Sequence, residues 1–335
     1  MKYALATNWD DNLLIHLKKL NKNKKDKIIE LFGALAYSVL GSARSVPRVK
    51  DISIKDAEKK IRKIKDAGFQ FNYLLNSSVF PNLKSKEKLE EAKKYLFWLR
   101  DLKPDIITIG NEKAIELVSR YLPNIPLNLS ITMAIKDVNK AERLFKKYPN
   151  IKRITPHQII NRDLKKLKDF IKIAHKYKVK VELLANEICL YDCPRMKEHY
   201  AYLGEISRIG IKTHEEFETW CDKIKVENPI EFLNSCWIRP EDVKIYENLE
   251  VDIVKIAGRG EDSRYLKKVS KTYMERKHKG NVMSLFYPNF WPQNKIPFIE
   301  SSKLNGFIEY LWNKKLKKLT IMSKKYNIMY KFKEN

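Results

Sequence analysis

Eight short β-rich runs, separated by stretches in which apolar residues recur at helical spacing, limit this chain to few folds. The runs are Tyr3–Ala6, Ala34–Val39, Phe69–Leu75, Asp105–Ile109, Leu127–Ile131, Lys152–Thr155, Val179–Leu184 and Asp252–Ala257. Between them come Ile54, Ile61 and Ile64, then Leu89, Ala92, Leu96 and Leu99, then Val138, Ala141, Leu144 and Phe145. Leu164, Leu167, Phe170, Ile171 and Ala174 follow before the seventh run. Each set marks one buried stripe along a helix. Strands alternating with helices build a parallel sheet whose strands are apolar on both faces, because helices cover it. Eight such units predict an α/β fold of the (β/α)8 TIM-like barrel type, and the 335-residue length holds one barrel plus an extension. The expected division is a barrel domain over 1–285 and a C-terminal wrap and basic amphipathic helix over 286–335.

The connection after the seventh run is far longer than the others, and it holds all four cysteines of the chain, Cys189, Cys193, Cys221 and Cys236. A barrel gathers its βα loops, and with them its active site, at the C-terminal ends of the strands. The spacing therefore predicts a metal-binding insertion over 187–250 on the catalytic face. Four thiolates from one segment suit an iron–sulfur cluster, here a four-iron four-sulfur cluster, or alternatively a tetrahedral zinc. Four separate buried thiols are the plainer alternative, since free cysteine is commonly buried. Three residues lie between Cys189 and Cys193, where zinc ribbons and thioredoxin-like motifs more commonly have two. The three-cysteine motif of radical S-adenosylmethionine enzymes would need a cysteine where Met196 stands.

Charge and the N-terminal residues bear on partners. Net charge is +26, from 67 Lys and Arg against 41 Asp and Glu, which favours acidic small molecules or RNA as partners. Diffuse lysine on a solvated surface accounts for the same excess. The band expected for RNA would use Lys267, Lys268, Arg276, Lys277 and Lys279 with the terminal helix. In that helix, Phe307–Tyr330, the residues Ile308, Leu311, Leu319, Met322 and Tyr326 form one apolar face, and lysines crowd the rest. Packing on the barrel is its plain reading, and an RNA-facing or membrane-surface arm is the sharper one. The first ten residues lack the apolar core of a signal peptide, and no apolar run is long enough for a transmembrane segment. A cytoplasmic protein with reduced thiols is the expectation.

The segment Glu182-Leu183-Leu184-Ala185-Asn186-Glu187-Ile188-Cys189-Leu190-Tyr191-Asp192-Cys193-Pro194, preceded by Asn161-Arg162-Asp163-Leu164, resembles the collagenase-like unassigned peptidase family thirty-two. Gly41-Ser42-Ala43-Arg44, Phe71 to Asn76, Trp237 to Asp242, Lys255 to Arg259, Tyr273 and Gly280-Asn281 agree with one branch of it, so the likeness extends over most of 1–285. The resemblance implies a barrel and, in several members, four cysteines holding a four-iron four-sulfur cluster. It also implies oxygen-independent hydroxylation of RNA or a quinone precursor, some members taking the oxygen from prephenate; others are described as collagenases or proteases. The commonest signature has six residues between its first two cysteines and a glycine before the first. Here there are three, preceded by Glu187-Ile188. The resemblance therefore carries the fold further than the reaction.

Other strand ends supply candidate site residues. Arg44 and Arg259 would clamp a carboxylate or phosphate, since guanidinium matches planar anions bidentately, with structural salt bridges as the alternative. Asn76 is a further substrate-binding candidate, and His157, Asn186 and Glu187 are candidates for orienting substrate or moving a proton. His199 is a candidate partner behind the metal ligands. No Gly-x-Ser-x-Gly elbow and no His-Glu-x-x-His motif is present. Three readings follow: an iron–sulfur enzyme for oxygen-independent hydroxylation or a related modification of RNA or a small aromatic molecule, a peptidase, and a noncatalytic metal-stabilised accessory protein with a partner subunit.

Overall fold

A computed structural model describes residues 1–44, 50–210, 216–286 and 297–313. Eight strands, β1 (Lys2–Ala6), β2 (Lys27–Gly33), β3 (Gln70–Leu75), β4 (Ile106–Ile109), β5 (Leu127–Leu129), β6 (Ile151–Ile154), β7 (Lys180–Leu184) and β8 (Ile253–Ile256), close into a barrel in sequence order. Every pairing is parallel, with β1 hydrogen-bonded to β8. The helices are α1 (Asp11–Asn21), α2 (Ile54–Asp66), α3 (Lys86–Leu102), α4 (Glu112–Tyr121), α5 (Val138–Lys147) and α6 (Leu164–Lys176). The seventh connection carries α7 (Met196–Ile209), α8 (Glu216–Glu227), α9 (Ile230–Asn234) and α10 (Val243–Asn248), and α11 (Ser263–Glu275) and α12 (Phe307–Asn313) follow β8.

The barrel helices are written locally into the sequence. Asp10, Ser53, Ser85, Asn111, Asp137, Asp163 and Asp262 each accept a backbone N–H of the helix they precede, satisfying a donor that would otherwise be orphaned. Apolar residues then recur on the buried face; in α6 they are Leu167, Phe170, Ile171 and Ala174. The insertion helices differ, since α7, α9 and α10 have no side-chain cap. Their stability comes from packing, which is usual for short helices.

The second strand is a correction. Ala34–Val39, expected as a strand, lies beyond it, and β2 is Lys27–Gly33. A charged residue inside that strand, Glu30, obscured it, and the barrel interior explains why it is tolerated. Arg153 Nη1 donates to Glu30 Oε1 at 2.8 Å and to Glu182 Oε2 at 2.9 Å. Lys255 Nζ reaches Glu182 Oε1 at 3.3 Å. Asn72 donates to Glu30, Thr108 to Asn72, Asn128 to Thr108, and Thr155 to Glu182. Two carboxylates and two cations cancel, and the hydrogen bonds replace lost hydration. Burial works to raise the pKa of Glu182, but Lys255 and Arg153 outweigh it and hold the carboxyl below its ordinary range.

A second apolar core lies outside the barrel. Phe232, Leu233 and Trp237 of the insertion pack with Val282, Met283, Leu285, Ile299, Leu304, Phe307, Ile308 and Leu311. The described part of the terminal helix therefore rests on the insertion, and residues 314–335, with all of its lysines, lie outside the described residues. No described helix is long and apolar enough to cross a membrane.

Candidate functional site

At the C-terminal end of the barrel, the ends of β7 and β8, helices α7 and α8 and the loop bearing Arg44 enclose a cavity of about 160 Å³. Cys189, Cys193 and Cys221 line it together with Glu187, His199 and Lys225. Tyr200, Phe217, Trp220, Tyr265 and Phe286 give it aromatic walls. Cys236, expected as a fourth ligand, is not on this wall. It is 2% exposed, its thiol donates to Asn234 O at 3.9 Å, and it lies against Arg162. Its backbone is held too: Asn161 donates to both Leu184 O and Cys236 O, and Ile238 N donates to Ala185 O. The structure thus brings three of the four cysteines together and sets the fourth apart.

Burial favours the protonated forms of Cys189, Cys193 and Cys236. Burial pushes Cys189 well above the ordinary thiol range; Glu187 and Cys221 push it further, and Lys225 opposes them. Burial likewise raises Cys193, and it takes Cys236 up to about 12 against the opposing charge of Arg162. Among the described residues, no group of three or more His, Cys, Asp or Glu side chains is arranged to hold a metal ion. The donors on the cavity wall are nevertheless of the soft kind that suits iron or zinc, and binding either one would release their protons.

The expected catalytic residues are placed unequally. Glu187 lies in the cavity, its Oε1 accepting from Ile188 N at 3.2 Å and from the Cys189 thiol at 3.5 Å. Asn186 also lines it but is bound on both sides of its amide: Oδ1 accepts from Ala257 N, and Nδ2 donates to Ala257 O and to the Tyr265 hydroxyl. It joins the ends of β7 and β8. His157 is elsewhere, its Nδ1 accepting from Ile159 N at the start of a 3-10 turn and its Nε2 lying 3.0 Å from Met196 Sδ. His199 stacks on Phe217, with ring centroids 5.1 Å apart.

His157 has a pH consequence. Burial first, then Lys136, pull its pKa from 6.5 down to about 4, with Asp192 opposing. The ring is neutral in the folded protein and takes a proton on unfolding. Its contribution to stability is therefore complete above the unfolded pKa of 6.5 and is lost as pH falls toward 4, at up to about 1.4 kcal/mol per pH unit. Urea unfolding at about pH 7.5 and about pH 5 should show that loss, and His157→Asn, a non-titrating residue suited to the same capping position, should reduce it.

The two arginines meet, as their places after β2 and β8 require. Arg44 lines the cavity, and Arg259 is buried beside it with Nη2 donating to Ala43 O at 3.2 Å. Asn76 is a positioning residue here: its Oδ1 accepts from Ala43 N. Ser207 of α7 holds the same loop through Ser42 N and Ser42 O. Both arginine loops need glycine. Gly41 and Gly258 have φ of +71° and +141°, and a Cβ at Gly41 would come within 2.8 Å of Arg208 Cγ.

Peptidase family U32 is matched over residues 38–156. The uncharacterized protease MJ1657 of Methanocaldococcus jannaschii is 24% identical over 309 residues, 89% of this chain and 87% of that protein. The solved structure of the U32 peptidase Mk0906 superposes with a TM-score of 0.55 at 14% identity, over 77% of this chain and 93% of the other. These matches relate the chain to peptidase family U32. In this barrel, much of the motif that carried the resemblance holds the insertion in place. Asn161 binds two carbonyls, and Arg162 donates to Ser235 O and lies over the rings of Trp237 and Phe307. Arg239 pairs with Asp242. Arg276, expected in an RNA-facing band, is engaged by Asp26 and Glu247. Sequence reasoning missed Lys225, although its position one helical turn after Cys221 put it on the same face of α8.

Proposed function

We propose that this U32 barrel is an enzyme that modifies a small aromatic molecule or RNA in the cysteine-lined cavity, by oxygen-independent hydroxylation or a related reaction. The observation that supports this reading most is the presence of three thiols from two separate segments on one cavity wall at the catalytic end of the barrel. Cys189, Cys193 and Cys221 would hold the metal centre, an iron–sulfur cluster or, in the alternative, zinc. A bound cluster would supply electron transfer. The chain's own residues do the remaining work. The Lys225 ammonium favours the thiolate forms of Cys189 and Cys193. The aromatic walls give the reacting group apolar surface to pack against. Asn186 and Tyr265 fix the floor by their mutual hydrogen bond.

A peptidase is the second reading, favoured by the name of the Methanocaldococcus jannaschii relative. It calls for a nucleophile with a base, and Cys189 has the Glu187 carboxylate as its hydrogen-bond partner. Anaerobic purification followed by iron, sulfide and zinc analysis separates the readings. Iron with sulfide supports the hydroxylase reading, whereas metal-free protein that cleaves a denatured protein substrate would overturn it in favour of the peptidase.

A further inference from the structure

Two guanidinium groups brought together inside a protein ordinarily have carboxylates between them, because an unpaired buried charge is costly. Here Arg44 Nε and Arg259 Nη1 are both buried without a hydrogen-bond partner. Among the described residues, no carboxylate pairs with either arginine. Arg259 is 6% exposed; burial first and the charge of Arg44 second pull its pKa down to about 9, with Tyr73 opposing. A guanidinium keeps its proton under almost all conditions, so such a pair is relieved by an anion rather than by deprotonation. The arrangement is also built to persist, since Asn76 and Ser207 hold the Arg44 loop, and Arg259 itself ties that loop to the end of β8.

We infer that Arg44 and Arg259 bind the carboxylate of a small organic acid whose body occupies the adjoining cavity. A carboxylate is planar and presents two oxygens, matching N–H groups from two guanidinium planes. The charge of Arg44 reaches Tyr200 and Tyr265 on the cavity wall, so the anion site opens onto aromatic surface. A cavity of about 160 Å³ is close to the roughly 150 Å³ that takes a single benzene ring. The inference rests on the same cavity as the function proposed above but not on its metal. Metal-free protein should bind the acid equally well, so either idea can fail without the other.

Benzoate and benzamide, of nearly the same shape and different charge, are the probes. By calorimetry the full chain should bind benzoate and not benzamide, and Arg44→Gln and Arg259→Gln should each weaken benzoate binding by at least about tenfold. In the absence of ligand, Arg259→Gln should melt at or above the temperature of the parent, because an unpaired buried charge has gone. A lowered melting temperature together with unchanged benzoate affinity would instead show Arg259 to be a structural residue and overturn the inference. Should Arg259→Gln fail to fold, Arg259→Lys keeps the charge, loses the planar fork and should still lose benzoate. Equal binding of benzamide, or no binding of benzoate, also overturns it. So does tighter binding of inorganic phosphate or tRNA that is lost in the same variants, since the site would then serve phosphate.

Discussion

Cys189→Ala is expected to remove thiol-held metal from the anaerobically purified protein, as are Cys193→Ala and Cys221→Ala, while Cys236→Ala retains it. The first three thiols line one cavity. Cys236 is enclosed at Arg162, with its backbone carbonyl bound by Asn161. Each missing donor costs a soft metal a bond that water replaces poorly, whereas removing a buried sulfur outside the cavity costs only packing. Iron, sulfide and zinc content measured beside the unfolding curve of each variant checks this. Equal metal loss from folded Cys236→Ala would show that its side chain turns to join the others, and the four-thiolate arrangement expected from the sequence would then be the correct one.

Arg153→Met should lower the free energy of unfolding by about 3–5 kcal/mol, the usual effect of removing one partner from a buried ion pair. Arg153 is the cation shared by Glu30 and Glu182. Without it, two buried carboxylates are left with Lys255, which pairs with Glu182. Urea unfolding measures the loss. Adding Glu30→Gln to Arg153→Met should recover part of it, because the excess negative charge is then removed, and the double-mutant cycle isolates the coupling. A loss below about 1 kcal/mol would mean that water reaches the network and screens it.

Seven of the eight strands and the helices α2, α3, α5 and α6 were legible because their signals are local. Leu167, Phe170, Ile171 and Ala174 carry helical period and an adjacent cap, and runs such as Ile106–Ile109 consist of β-branched residues. The second strand was misplaced because Glu30 reads as a surface residue until Arg153, 123 positions away, is known to face it. The arginine pair was legible in the same indirect way. A barrel brings every strand end to one rim, so residues after β2 and β8 become neighbours by topology alone.

What the sequence determined by itself was thus the barrel, the placement of the long seventh connection on its catalytic end, and the types of chemical group carried there. Only the tertiary structure decided which of those groups meet. Nothing in the spacing of Cys189, Cys193, Cys221 and Cys236 shows that the last is held away by Asn161 and enclosed beside Arg162, or that His157 caps a turn against Met196. Nor does local sequence reveal that, among the described residues, no carboxylate pairs with Arg44 or Arg259. Periodicity and capping act within a few residues of chain, whereas burial, charge pairing and convergence arise from segments far apart that pack together, and only the packed chain settles them.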